Sequence, residues 1–171
     1  VMSRIATLLA CLAGLSVSVS GASGAQGTCV EAIKILNYGK YSATSKSVEK
    51  LDGTATGTIN IVDNYKLREQ TEVITARVGE RFGVEYMLTG RPTGEAVQVT
   101  FITRFPLQGV VNPKGERFTK NEFERTVTIG ELTYRTYRFD DAWELALGEW
   151  SMEFYYQGRL LASKRFTVVA P

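Results

Sequence analysis

The sequence contains no histidine, and its two cysteines are Cys11 and Cys29. Without histidine the chain has no imidazole ligand for zinc, no serine–histidine or cysteine–histidine nucleophile pair, and no histidine-based pH switch. Hydrolases that depend on these groups are therefore excluded. The sequence predicts a protein that is not an enzyme and that uses no cofactor and no metal.

Strong charge of either sign is also missing. The formal net charge is +2, and the lysines and arginines are scattered along the chain. There is no run of about five or six like charges that would indicate binding to nucleic acid or to an anionic membrane. The glycines form no phosphate-binding pattern followed by a helix. We therefore predict no nucleic-acid partner.

The first 25 residues have the features of a cleavable signal peptide. Arg4 gives a short positive start, and Ile5 to Val19 is free of charge. This run is shorter than the roughly twenty apolar residues of a membrane span. The small residues Ser23-Gly24-Ala25 predict cleavage before Gln26, with Ser20-Gly21-Ala22 as the alternative site. The expected location is periplasmic or secreted, with no transmembrane segment in the mature chain.

Neither cysteine predicts a covalent anchor or a disulfide bond. Leu8-Leu9-Ala10-Cys11 is similar to a lipoprotein cleavage box, but the apolar run before Cys11 is shorter than the roughly seven residues of a signal core. Loss of Cys11 with the signal peptide leaves Cys29 alone, so the mature chain cannot form an intramolecular disulfide bond. A packed or frayed Cys29 is expected rather than a reactive one.

From Ile33 onward, apolar residues recur with a period of two, which is typical of half-buried strands. Turn residues separate these segments, and only residues 141–144 suggest a helical turn, with Asp141 as its N-cap. The sequence predicts an all-β fold over residues 26–171: one antiparallel β-sandwich of about seven to nine strands. The predicted strands are 33–41, 58–62, 73–78, 81–89, 96–104, 123–129, 132–139, 149–157 and 160–169.

The last two predicted strands pose a register problem. Trp150, Phe154, Phe166 and Val168 are expected in the core because aromatic and apolar side chains dominate sandwich interiors. A regular hairpin with a two-residue turn at Gln157-Gly158 would point Phe166 outward. The sequence therefore predicts either a three-residue loop or a β-bulge within residues 161–165.

Three segments resemble a family of exported bacterial proteins known only as a domain of unknown function. They are Ile74-Thr75-Ala76 with Gly79, Phe82-Gly83 and Tyr86; Trp143-Glu144-Leu145 with Gly148-Glu149-Trp150; and Tyr156-Gln157-Gly158-Arg159-Leu160-Leu161. The resemblance extends from about residue 33 to residue 169. Residues 145–150 are also similar to the corner before the penultimate strand of immunoglobulin-like folds. The resemblance implies an immunoglobulin-like β-sandwich and transfers no catalytic residue.

A long connection, residues 105–121, is the strongest candidate for function, because binding residues concentrate on loops that a rigid scaffold holds. Loops of an antiparallel sandwich alternate between its two ends, so this loop and residues 140–148 are predicted at the same end. The predicted partner-binding residues are Asn112, Lys114, Arg117, Asp140, Asp141 and Trp143. We interpret the chain as a non-catalytic exported interaction module, with an unknown protein or an envelope glycan as its partner.

Three other functions stay open on the sequence alone. A carboxylate-based hydrolase would need two carboxylates across a cleft, from the set Asp140, Asp141, Glu144, Glu149 and Glu153. A glycan-binding protein would stack sugars on free aromatic rings, for which Trp143 and Tyr155 are the candidates. An immunoglobulin-like inhibitor of cysteine proteases would use the loop Asn112-Pro113-Lys114-Gly115, but Arg91-Pro92-Thr93 comes before that loop and the inhibitors have the reverse order.

Overall fold

Nine strands form two sheets that pack face to face in the computed structural model, which describes residues 27–171. The first sheet has the order β2-β1-β4-β9, and the second has the order β3-β11-β10-β5-β8. Neighbouring strands are antiparallel except β3 and β11, which are parallel. The bounds are β1 Cys29–Lys50, β2 Thr58–Glu69, β3 Val73–Thr75, β4 Arg81–Arg91, β5 Ala96–Arg104, β6 Val110–Val111, β7 Arg117–Phe118, β8 Lys120–Thr128, β9 Leu132–Arg138, β10 Gly148–Tyr156 and β11 Arg159–Val169.

The all-β sandwich prediction is confirmed, and each of the nine predicted strands has its counterpart in one of the two sheets. The predicted signal peptide, its cleavage site and Cys11 lie outside the described residues. Cys29 is exposed at the start of β1 and not packed. No helix within residues 27–171 is long and apolar enough to cross a membrane.

The core lies between the two sheets and follows the alternation of the strands. In β4, Phe82, Val84, Tyr86 and Leu88 are all buried and face the second sheet. Trp150, Met152 and Phe154 are the buried side chains of β10. The ring of Phe82 in the first sheet meets those of Trp150 and Phe166 in the second edge to face, the arrangement that ring quadrupoles favour.

The last hairpin contains the predicted β-bulge. Tyr156 pairs with Arg159 across a two-residue turn, and Tyr155 pairs with Leu160, but Phe154 pairs with Ala162. Leu161 is therefore the extra residue, and the register shift lets Phe166 share the buried face with Trp150. The positive φ angles of Gln157 and Gly158, +49° and +77°, suit a tight turn with both central residues in the left-handed region.

The hairpin formed by β1 and β2 is much longer than predicted. The first half of β1 pairs with β4, and the second half pairs with β2. Residues 42–50 are mostly polar and exposed, so no alternation of apolar side chains marks this half as a strand. The hairpin lies against β9, where Tyr65 of β2 stacks on Tyr134 with 4.5 Å between ring centroids.

The predicted long loop 105–121 contains structure of its own. A short hairpin forms inside it, with β6 paired to β7. Asn112 fixes the turn of this hairpin, because its Oδ1 accepts hydrogen bonds from the backbone N–H groups of Lys114 and Glu116, each at 3.0 Å. A 3-10 turn follows at Ala142–Glu144, but the side chain of Asp141 makes no capping hydrogen bond to it.

Candidate ligand-binding cleft

The tip of the β1–β2 hairpin bridges the two sheets at their open edge. Strands β9 and β8 are the last strands of their sheets on this side and do not pair with each other. The backbone N–H of Ala55 donates to Asn121 Oδ1 on β8 at 2.8 Å, and the N–H of Glu122 donates to the carbonyl of Gly53 at 2.9 Å. Asn121 is 4% exposed, so this contact is shielded from water. The hairpin therefore encloses a space between β8 and β9.

We expect Gly53→Ala to destabilise the protein more than Gly57→Ala does. Both glycines have positive φ angles, +78° and +68°, so alanine is strained at both. A Cβ at Gly53 would lie 2.2 Å from the carbonyl oxygen of Glu122, whereas one at Gly57 would meet nothing within 4 Å. The extra loss for Gly53→Ala should be at least about 1 kcal/mol, the value of one hydrogen bond. Urea denaturation of both variants measures the difference, and equal losses would show that the tip does not dock on β8.

The enclosed space is a cleft of about 230 Å³ that is open to solvent. One wall is apolar, formed by the buried rings of Tyr86, Phe101 and Phe123 from three strands. The rest is polar, with hydroxyl groups from the hairpin and from β9. Four arginines line the cleft against three carboxyl groups: Arg81, Arg125, Arg135 and Arg138 against Glu131, Asp140 and Glu144. The cleft thus combines one apolar wall with a lining that is otherwise polar and rich in charged groups.

Arg135 of β9 points from the first sheet toward the second. Its Nη2 donates to Thr103 Oγ1 at 2.9 Å, and its guanidinium lies over the ring of Phe123 at 4.8 Å. Its Nε is buried and has no hydrogen-bond partner. Within residues 27–171 it pairs with no carboxylate within 4.0 Å. Burial, together with the nearby charge of Arg125, lowers the pKa of Arg135 to about 10.

Arg125 faces Arg135 from the opposite sheet. It lies on β8 between the buried residues Phe123 and Val127, so it shares their inward-facing side of the strand. It too pairs with no carboxylate within 4.0 Å in the described part of the chain. Arg125 is exposed, so water screens its charge, but it adds a second positive charge at the opening near the buried guanidinium of Arg135.

A third arginine, Arg81, lies at the side of the cleft and is 7% exposed. Its Nη1 donates to Thr136 Oγ1 at 3.0 Å. Burial lowers the pKa of Arg81, with the charge of Arg138 acting in the same direction. Arg138 is balanced by Asp140, since 3.4 Å separates their closest charged atoms.

Glu144 lies at the inner end of the cleft and is 1% exposed. Tyr137 donates its hydroxyl to Glu144 Oε2 at 2.8 Å, while Oε1 is buried without a partner. Burial raises the pKa of Glu144 to about 7, and the neighbouring charge of Asp140 adds to this effect. The carboxyl group is thus neutral over much of the acid range.

The carboxylates considered for a hydrolase do not converge on one site. Glu149 pairs with Arg165 and Glu153 pairs with Arg104, both outside the cleft. Asp140 and Glu144 do line the cleft, but Asp140 is held by Arg138 and by an amide hydrogen bond from Asn60 at 2.8 Å. No group of three or more Cys, Asp or Glu side chains that could hold a metal ion occurs among residues 27–171.

The six predicted site residues divide between two places. The segments 105–119 and 140–148 do lie at the same end, which we name the loop end, because Gln108 Nε2 donates to the carbonyl of Leu147 at 2.6 Å. Asp140 lines the cleft, and Asp141 is exposed. Trp143 is half-buried and packs against the core, so it is not a free aromatic platform. The remaining three belong to the β6–β7 hairpin: Asn112, Lys114 and Arg117.

Asn112 and Arg117 have structural partners. Asn112 holds the hairpin turn, and Arg117 Nη1 donates to the carbonyl of Gln108 at 2.9 Å. The arginines of the cleft were absent from the sequence prediction. The available signal was the alternation within β9, where Arg135 falls on the same side as Tyr137 and Phe139, which are both buried.

The sequence profile of a family described as "Domain of unknown function (DUF3859)" matches residues 30–168. The chain belongs to the DUF3859 family. The predicted membership of a family known only as a domain of unknown function is thereby confirmed. None of the curated proteins is significantly similar to this DUF3859 chain.

Solved structures that are similar to this DUF3859 domain include two from Pseudomonas species. An immunoglobulin-like protein from Pseudomonas aeruginosa is 26% identical, with a TM-score of 0.59, and the match covers 81% of this chain and 98% of that one. The immunoglobulin-like sandwich prediction is therefore confirmed. An alkylpurine DNA glycosylase from Pseudomonas fluorescens is 18% identical, with a TM-score of 0.38 over 57% of this chain and 27% of that one. At that TM-score no conclusion about DNA follows.

Proposed function

We propose that this protein is an exported, non-catalytic binding module and that its ligand enters the cleft between the β1–β2 hairpin and the edge strands β8 and β9. The observation that carries this proposal is the pair of unneutralised guanidinium groups, Arg125 and Arg135, on the inner faces of two opposing sheets. A purely structural sandwich gains nothing from a buried, unpaired guanidinium such as that of Arg135, since desolvation makes it costly. A bound ligand would remove that cost.

The arrangement supports binding and not catalysis. Of the three carboxyl groups of the cleft, Glu144 is buried beneath Tyr137, Asp140 is paired with Arg138, and Glu131 is exposed at the surface. The hydroxyl of Tyr137 does lie beside the carboxyl group of Glu144, but both side chains are buried, which shields this pair from a ligand in the cleft. The periplasmic or secreted location, inferred from residues 1–25, belongs to the proposal.

A second candidate is a protein partner at the loop end. Leu107 is 99% exposed there, and Val111 and Leu147 are partly exposed nearby. Lys114 lies on the same hairpin and is exposed. Clustered apolar side chains with basic neighbours suit an acidic protein surface that also offers apolar contacts.

Mass spectrometry of the protein purified from its native host tests both the location and the site. Under denaturing conditions we expect a mature chain that starts near Gln26. Under native conditions we expect a bound small molecule. Thr133→Trp should lose this molecule, because the larger side chain fills the cleft. Thr100→Trp should retain it, because Thr100 lies on β5 outside the cleft. A bound polypeptide retained by both variants would favour the loop end instead. No bound species on any form would contradict the cleft proposal.

A further inference from the structure

The charged groups that line the cleft indicate which class of ligand it would hold. Its entrance lies between two edge strands that belong to different sheets. Arg125 comes from β8 and Arg135 from β9, and both strands present these residues inward. The hydrogen bonds that Arg135 donates go to neutral groups, the hydroxyl of Thr103 and the carbonyl of Thr136. The positive charge at this point is therefore not balanced by the residues that surround it.

We propose that the cleft recognises an anionic oxygen group, carboxylate or phosphate, on a small ligand, and that Arg125 and Arg135 hold this group between them. This proposal rests on the proposed function and names its ligand class. The planar guanidinium fork matches the two oxygens of such a group, and hydrogen bonds between ionised partners are the strong ones.

Several features of the site fit an anion better than a neutral ligand. Thr103 and Phe123 fix the guanidinium of Arg135, so little side-chain entropy would be lost on binding. Burial and the charge of Arg125 both lower the pKa of Arg135 because they disfavour its charged form. An anion bound between the two arginines would stabilise that charged form. The carboxylate of Asp140 is paired with Arg138, so it does not compete with a bound anion for Arg125 and Arg135.

The remainder of the cleft limits the size and character of the ligand. A volume of about 230 Å³ admits a molecule of a few heavy atoms up to a short side chain or chain terminus. The rings of Tyr86, Phe101 and Phe123 offer an apolar wall, and threonine hydroxyls from the hairpin offer hydrogen bonds. The ligand class is therefore a small anion with an apolar portion, for which succinate is a simple probe.

Isothermal titration calorimetry of the mature protein tests this inference with succinate, inorganic phosphate and the uncharged succinamide. We expect at least one anion to bind and succinamide to bind at least tenfold more weakly. If succinate binds and phosphate does not, the ligand group is a carboxylate. If phosphate binds and succinate does not, the ligand group is a phosphate. Arg125→Gln should lower the affinity for the anion by roughly tenfold to a hundredfold, because one hydrogen bond between charged groups is lost.

The controls separate anion recognition from damage to the fold. Arg165→Gln removes an exposed arginine of β11 outside the cleft and should leave anion binding unchanged. Arg125 is itself exposed, so Arg125→Gln should fold normally even if Arg135→Gln does not. Equal binding of succinate and succinamide, no binding of either anion, or unchanged binding by Arg125→Gln would overturn the inference. A neutral molecule found in the native mass spectrum would overturn it while leaving the cleft as the binding site.

Discussion

Trp150→Ala is expected to lower the free energy of unfolding by about 3 to 5 kcal/mol, the range for truncation of a large core side chain. Trp150 is 1% exposed, and its ring lies 4.8 Å from that of Phe105 and 5.1 Å from that of Tyr137, measured between centroids. Its indole N–H donates to the carbonyl of Ala146 at 2.8 Å. The substitution therefore leaves a cavity between the sheets and a carbonyl group without its donor.

Chemical denaturation with linear extrapolation measures this loss. Trp143→Ala is the matched control. Trp143 is half-buried on the preceding turn, so its replacement should lower the free energy of unfolding by less than Trp150→Ala does. Trp150→Phe keeps an aromatic ring and loses the N–H, so its loss should be intermediate and measurable even if the alanine variant does not fold. A loss below about 1 kcal/mol for Trp150→Ala would contradict its place in the core.

Glu144→Gln is expected to change how stability depends on pH. The folded state raises the pKa of Glu144 from 4.5 to about 7, so it binds the proton more tightly than the unfolded state does. The stability that comes from the neutral carboxyl group is therefore complete below pH 4.5 and is lost as the pH rises through about 7. This shift corresponds to about 3 kcal/mol. Glutamine stays neutral and has no such loss.

The measurement is the difference in unfolding free energy between the natural protein and Glu144→Gln from pH 4 to pH 8. We expect this difference to move by about 3 kcal/mol in favour of the glutamine variant across that interval, with the steepest change between pH 4.5 and 7. Other carboxyl groups titrate in both proteins and cancel in the difference. A constant difference would mean that Glu144 ionises in the folded protein as it does in the unfolded chain.

Much of the sandwich could be predicted from the sequence because its core strands alternate cleanly. The period of two marks β4, β5 and β10. The requirement that Phe166 be buried predicted either a three-residue loop or a bulge within residues 161–165, and the structure has the bulge, at Leu161. The second half of β1 could not be predicted in the same way. Residues 42–50 are exposed on both sides, so their strand structure depends on pairing with β2 and leaves no apolar pattern.

The candidate site was less predictable than the fold, because tertiary packing creates it. Neither Arg125 nor Arg135 belongs to a recognisable sequence motif. They line the same cleft because β8 and β9 are the edge strands of their sheets on the same side. The hairpin tip that closes the cleft depends on a contact between residues near 54 and residues near 121. The loop end was located correctly, but Asn112 and Arg117 mainly support the loop itself.

Ligand entry into the cleft, as opposed to binding at the loop end, can be measured residue by residue with NMR. Succinate is titrated into the isotope-labelled mature protein, and shifts of the backbone amides and of the Arg135 Nε–H are followed. We expect the largest shifts at Arg135 and at cleft residues such as Thr54 and Thr133, with Lys114 unchanged. Shifts confined to residues 107–117, or none at Arg135 while succinate binds, would contradict a binding site between the hairpin and the edge strands.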